Sequence, residues 1–191
     1  MTGKPKTKVD DLFSFDERID LTLLDRGVNF LVGEIDENNI TKIIKWIIFE
    51  NLKQSDEILT LYINSDGGSL QDAFALIDIM LNSKRVIRTV GLGSICSAAF
   101  LIFASGTNGQ RYISKNTSIM CHQFSDGFDG KYHDIKSAQK EYENTNHRMV
   151  ELLKTATGLE TKTIKAKLLP PSDVWFVAEE LIEYGVADHI F

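Results

Sequence analysis

LGSICSAAFLIFASG, residues Leu92–Gly106, is the most apolar stretch of the 191-residue chain. It follows a strand-like run, Val86 to Val90, and the chain is expected to turn on Gly91 and Gly93 and continue as a buried helix of small and apolar residues. Ser97 then stands at a helix start. Backbone N–H groups there lack intrahelical partners and the positive end of the helix dipole faces outward, so a developing oxyanion beside Ser97 would be stabilised. The plainer role for such a serine is to cap the helix. What surrounds it decides between the two.

Working outward, the same alternation repeats. VNFLVGEI from Val28 reads as a buried strand, and Asp36 to Leu52 as a helix with Ile40, Ile43, Ile44, Ile47 and Ile48 on one face. EILTLYIN, Glu57 to Asn64, is a second strand closed by the turn SDGGS at Ser65 to Ser69. Leu70, Ala73, Phe74, Ile77, Met80 and Leu81 keep helical spacing and lead back to the Val86 strand. Strand, helix, strand, helix implies parallel βαβ crossovers and an α/β fold.

Beyond Gly106, RYISK and TSIMCH are two short strands around a Lys115-Asn116 turn, the second ending at His122. Ligands of open α/β sheets bind outside the carboxyl ends of strands, so Gly68, Ser97 and His122 are expected to converge. SDGFDGKYHD reads as a β-excursion. Ile135, Ala138, Tyr142, Thr145, Met149, Leu152 and Ala156 then form the stripe of a long helix, whose partner is either the chain's own sheet or another subunit. After the Pro170-Pro171 break and Asp173, VWFVAEELIEY reads as a last helix ended by Gly185, and VADHIF as a closing strand. Residues 1–16, polar and without periodicity, are expected to be a mobile arm, and 17–191 a single domain.

Composition excludes several classes. A formal net charge of −6 without a basic stripe argues against nucleic acid. Cys96 and Cys121, the only cysteines, fit neither a disulfide framework nor a metal site, and His133, His147 and His189 lack ligand spacing; no metal or cofactor is expected, and the chain reads as cytoplasmic. MTGKPKTKVDD has no apolar core of a signal peptide, and Leu92–Gly106 is short of the ~20 apolar residues that span a bilayer. No P-loop is present. Cys96 and Cys121 are weighed as thiol nucleophiles, but both read better as small buried fillers.

A Gly-Gly turn, a serine at a helix start and a histidine after a strand are the parts acyl transfer needs: oxyanion donors, nucleophile and base. YINSDGGS, GSICSAAFLIFASG, NTSIMCHQ and AEELIEYGVAD together resemble, in order and spacing, the ClpP family, the proteolytic subunits of Clp protease. The resemblance runs from about Phe15 to the C-terminus. It implies a ClpP/crotonase-like fold of repeated βαβ units, a serine endopeptidase with Ser97, His122 and Asp173 as triad, and an oxyanion hole from the amides of Gly68 and Ala98. It further implies stacked seven-membered rings, homo-oligomeric or mixed with another ClpP, fed with unfolded protein by an AAA+ unfoldase of the ClpX, ClpA or ClpC kind. Alternatives are a catalytically silent structural or regulatory ring subunit and a crotonase-like acyl-CoA enzyme. The chain departs from the family pattern at Asp66, where proline is usual, at Ala98-Ala99 and at Ser172, where arginine is usual. It also departs in a slightly longer segment from Leu168 to Ser172. Of the family's unfoldase-docking pocket it keeps Tyr62, Val90, Leu92 and Tyr112 but has Thr60, Asn82 and Ser114 where apolar residues are usual.

Overall fold

The computed structural model describes residues 13–53, 55–125, 127 and 129–191. Strands β1 (Val28–Val32), β2 (Leu59–Ser65), β3 (Ile87–Cys96), β4 (Arg111–Ile113) and β7 (His189–Ile190) lie side by side in that order, all parallel. Between them run α2 (Glu37–Leu52), α3 (Leu70–Leu81) and α4 (Ala98–Ala104), as the crossover pattern requires. Alternation sets the faces: Leu31, Ile63, Gly91, Ile113 and Ile190 form one row toward the helices, while Phe30, Tyr62, Val90, Tyr112 and His189 form the adjacent row on the opposite face.

The expected turn at Gly91 and Gly93 is instead part of β3. Ile63 pairs with Gly91 but Ser65 with Ile95, so β3 carries two more residues than β2 over this span. The surplus is accommodated by Gly93 at φ +59 and by Asn64, whose Oδ1 accepts the Ser94 N–H at 2.9 Å in place of a ladder partner. Across this bulge β3 changes neighbour. Thr89–Gly91 pair with β4, whereas Ser94–Cys96 pair with β5 (Ser118–Cys121), also in parallel.

The chain's last part differs from expectation too. VWF is not helical: β6 (Val174–Phe176) pairs antiparallel with β5, and only then does α7 (Ala178–Glu183) begin, with the Glu180 carboxylate accepting the Val177 N–H at 2.9 Å. β-branched and aromatic residues favour the strand, and Gly185 at φ +67 ends the helix. Two helices were not foreseen: α1 (Phe15–Asp25), begun by a Ser14/Glu17 capping box, and α6 (Thr161–Lys167). Phe15 and Asp16, the end of the expected arm, are thus helical, and residues 1–12 lie outside the described residues. No described residue of Ser125–Asp134 forms the expected β-excursion, and Tyr132–Asp134 open α5 (Tyr132–Thr157). On that helix Thr145 and Met149 are buried against the chain itself, while Ile135 is exposed.

Two buried ion pairs hold the frame. Arg85, before β3, donates from Nη1 to Glu50 of α2 at 2.6 Å. Arg111 of β4 clasps Asp188 through Nε and Nη2, at 2.9 and 2.6 Å, and donates from Nη1 to the Ala156 carbonyl of α5 at 2.8 Å. Among the described residues no helix is long and apolar enough to cross a membrane.

Partial burial works to raise the Asp188 carboxyl, but hydrogen bonds from the Arg111 side chain and amide, with its charge, outweigh it and hold the group below the usual carboxylate range. Asp188→Asn leaves a buried guanidinium without its counter-charge and should cost about 3 kcal/mol of unfolding free energy near neutral pH. Because the folded value is depressed, this stabilisation is complete above the unfolded carboxyl's pKa of about 3.9 and is lost as pH falls through the folded value. Urea unfolding across pH checks it: the gap between variant and wild type should close in acid, and a constant gap contradicts the assignment.

Candidate active site

The change of neighbour in β3 builds the site. Cys96 pairs with Met120, so the strand ends of β3 and β5 open together, and the Ser97 N–H donates to the Met120 carbonyl at 3.0 Å. His122 follows β5 directly. Cys121 in turn pairs antiparallel with Val174, which sets Asp173, just before β6, opposite His122.

Ser97 is the one non-glycine residue with positive φ among the described residues, at φ 55 and ψ −123. It precedes α4 but makes no side-chain capping bond. Its Oγ instead lies 2.7 Å from His122 Nε2, so the capping role is not the one the geometry realises. An L-residue held there costs about 1–3 kcal/mol and persists only where the surroundings over-determine it. Here they do. Every residue of α4 is buried, and Gly67 presses so closely on the turn that a Cβ added to it would stand 2.7 Å from Ser97 Cβ.

His122 Nδ1 lies 3.5 Å from Asp173 Oδ1, an ion-pair distance longer than a good hydrogen bond, and the Asp173 side chain is 60% exposed. Facing a carboxylate, Nδ1 is the nitrogen to carry the proton, leaving Nε2 to accept from Ser97. Gln123 Nε2 donates to the Leu169 carbonyl at 3.0 Å and so ties the residue after His122 to the segment leading to Asp173.

Opposite Ser97 stands the Gly-Gly turn. Gly67 and Gly68 adopt φ +107 and +146. Ile35 clasps this turn as an extra strand would: its N–H donates to Gly67 at 2.9 Å and its carbonyl accepts from Ser69 at 2.8 Å. A Cβ on Gly68 would meet that carbonyl at 2.4 Å, so glycine is required. Ala98, first residue of α4, has an amide without an intrahelical acceptor by position. A cavity of about 380 Å³ opens beside Ser97 and His122, with Leu70, Leu101, Phe124, Tyr142, Thr145 and Met149 in its wall. The helical spacing of Leu70, Tyr142, Thr145 and Met149 marks them as packing positions and not as site wall, and Ile35 carries no site signal, because β1's extension and α5's packing bring Ile35, Tyr142, Thr145 and Met149 here from afar.

The rival thiols are buried. Burial pushes the Cys121 thiol up to about 12, so at neutral pH it is protonated and inert.

Tyr62, Val90 and Tyr112 stand side by side on the face away from the helices, Phe30 stacked on Tyr62 at 5.2 Å and His189 on Tyr112 at 4.6 Å. Leu92 lies on the bulge, half-buried, and Arg88 is held over the Tyr112 ring at 5.1 Å. Asn82 caps the C-terminal end of α3, its Nδ2 donating to the Asp78 carbonyl at 2.8 Å, and is not part of that row.

The family model described as Clp protease matches residues 16–191. Among curated proteins, the chain is 34% identical over 168 residues to the ATP-dependent Clp protease proteolytic subunit 2 of Tropheryma whipplei, covering 88% of this chain and 92% of that protein. It is 33% identical to proteolytic subunit 1 of Leifsonia xyli and to subunit 2 of Nocardia farcinica, over 88% of this chain and 84% and 82% of those proteins.

Proposed function

The chain belongs to the Clp protease family, and on that premise we propose that it is a serine endopeptidase, the proteolytic subunit of an ATP-dependent Clp protease, with Ser97 as nucleophile, His122 as general base and Asp173 as third member. The observation that carries the assignment of residues is the 2.7 Å contact between Ser97 Oγ and His122 Nε2 at the only positive-φ non-glycine position described. As Oγ attacks the peptide carbonyl carbon, its proton passes to Nε2 and the carbonyl π electrons move to oxygen. The amides of Gly68 and Ala98 stabilise that oxyanion. Its collapse expels the amine, which takes the proton from Nε2, and leaves an acyl-enzyme; water then repeats the cycle. Asp173 stabilises the imidazolium, and its 3.5 Å approach to Nδ1 is of the loose kind that tightens when substrate binds. The cavity beside Ser97, walled by Leu70, Phe124 and Met149, receives an apolar substrate side chain.

The relatives' names include "ATP-dependent", and this chain has no P-loop, so the ATP-consuming step belongs to a partner. The partner is a ring unfoldase delivering unfolded chains, and the protein acts in the cytoplasm as stacked seven-membered rings, alone or with a second subunit type. Exposed Ile48, Phe49 and Leu52 on α2 and Ile135 on α5 supply apolar surface for neighbours.

Ser97→Ala removes one hydroxyl and little packing. It should abolish hydrolysis of a fluorogenic peptide with thermal unfolding unchanged, and Asp173→Asn should lower turnover by orders of magnitude through the wrong imidazole tautomer. Surviving activity in the first, or a wild-type rate in the second, rejects the respective role. Docking is proposed at Tyr62, Val90, Leu92 and Tyr112, where buried Thr60, half-buried Ser114 and the Arg88 guanidinium make the surface more polar than an apolar loop prefers. Each apolar side chain missing from such a contact removes ~1.5–3 kcal/mol, partly recovered when several pockets engage together. The homo-oligomer should therefore be stimulated weakly by an unfoldase in degrading a tagged protein. Ser114→Leu, or a second subunit type, should strengthen it; tight saturable stimulation of the wild-type homo-oligomer contradicts this.

A further inference from the structure

The oxyanion turn and the nucleophile turn are carried by different strands, and the backbone ladder between those strands is interrupted just before both. β2 and β3 are in register to Ile63 and Gly91, meet once more at Ser65 and Ile95, and then separate into the two turns. Side chains take over from the ladder at this place. Asn64 Oδ1 accepts the Ser94 N–H at 2.9 Å, and two residues further Asp66 Oδ1 accepts the Ser94 hydroxyl at 2.5 Å. A carboxylate only accepts, so the Ser94 proton is directed to Asp66, and Ser94 Oγ is left to accept from the Cys96 thiol at 3.2 Å. Asp66 immediately precedes Gly67 and Gly68, while Cys96 immediately precedes Ser97. The path from one turn to the other thus runs through three side chains.

We infer that Asp66 is a positioning residue for peptide hydrolysis: through Ser94 it holds the Gly67-Gly68 turn at a set distance from Ser97, so that the Gly68 and Ala98 amides converge on one oxygen. On the far side the turn is already tied, by Ile35 to Gly67 and Ser69 and by the Gly67 N–H to Ser65 Oγ at 3.1 Å. Those bonds fasten it to β1 and to its own strand, none of them to β3. Beyond the Ser65–Ile95 pair, Asp66 supplies the side-chain tie to β3, in a turn that lacks a proline to restrict φ at that position. Asp66 is exposed, so the bond contributes little to global stability. Its effect is geometric, and misplacing reacting groups by about 1 Å lowers rates by as much as ~100-fold.

The inference rests on Ser97 being the nucleophile, and the test separates the two. Peptide hydrolysis and thermal unfolding are measured on the assembled protein for wild type, Ser97→Ala, Asp66→Ala, Ser94→Ala, the double Asp66→Ala/Ser94→Ala and Asp66→Asn. Each single alanine variant should lose about 10- to 100-fold in kcat with KM held within about two-fold and the unfolding temperature nearly unchanged. The double variant should be no slower than either single, since both break one bond. Asp66→Asn keeps an acceptor oxygen and should regain most of the rate. Wild-type kcat in Asp66→Ala, additive losses, a raised KM at constant kcat, or an asparagine as slow as alanine each overturns the inference. Should Asp66→Ala not assemble, the kcat of Ser94→Ala decides alone by the same criteria. Turnover surviving Ser97→Ala rejects instead the reading on which the inference rests.

Discussion

The two-residue surplus that β3 carries opposite β2 is the constraint on which the rest of the structure depends. Up to Gly91 the strand lies in the branch of the sheet continued by β4 and β7; from Ser94 it lies in the branch continued by β5 and β6. Without that change of neighbour His122 would not emerge beside Ser97, and Asp173, brought in by the antiparallel β6, would have no histidine to face. The meeting of Ser97, His122 and Asp173 from three separate strand ends follows from one irregularity of register.

Strain and burial meet at the same place. Holding Ser97 at positive φ costs about 1–3 kcal/mol. Three residues on begin Phe100, Leu101, Ile102 and Phe103, all within 1% of full burial, each contributing roughly 1.5–3 kcal/mol of apolar transfer. The cost of the turn is small beside what anchors it, which is why the serine stays aimed at His122 rather than relaxing to a helix cap. The frame around it is tied by charge. Arg111 binds β4 to the Asp188 carboxylate before β7 and to the end of α5, and Arg85 binds the entry of β3 to α2.

Much of this was legible in the residues. The helical spacing of Ile40 to Ile47 and of Leu70 to Met80, and the apolar runs before them, give the crossover units directly, and they place Gly68, Ser97 and His122 at strand ends. What was not legible depended on long-range pairing. Gly91 and Gly93 look like a turn because glycine favours positive φ; Gly93 does adopt it, but inside a strand whose partners are distant in sequence. Val174–Phe176 lies beside a strong helical pattern, and only pairing with β5 reveals it as a strand. The tie from Asp66 to Ser94 joins residues 28 apart across a bulge that sequence spacing does not announce.

The central claim is that Ser97 is a nucleophile activated by His122, and covalent trapping tests it most directly. Wild-type protein is treated with a fluorophosphonate at neutral pH and the adduct is located by peptide-mapping mass spectrometry, with His122→Ala treated in parallel. The account predicts a single adduct on Ser97, nearly absent from the variant because no base remains to take the hydroxyl proton. An adduct on another residue, or undiminished labelling of Ser97 without His122, would contradict it.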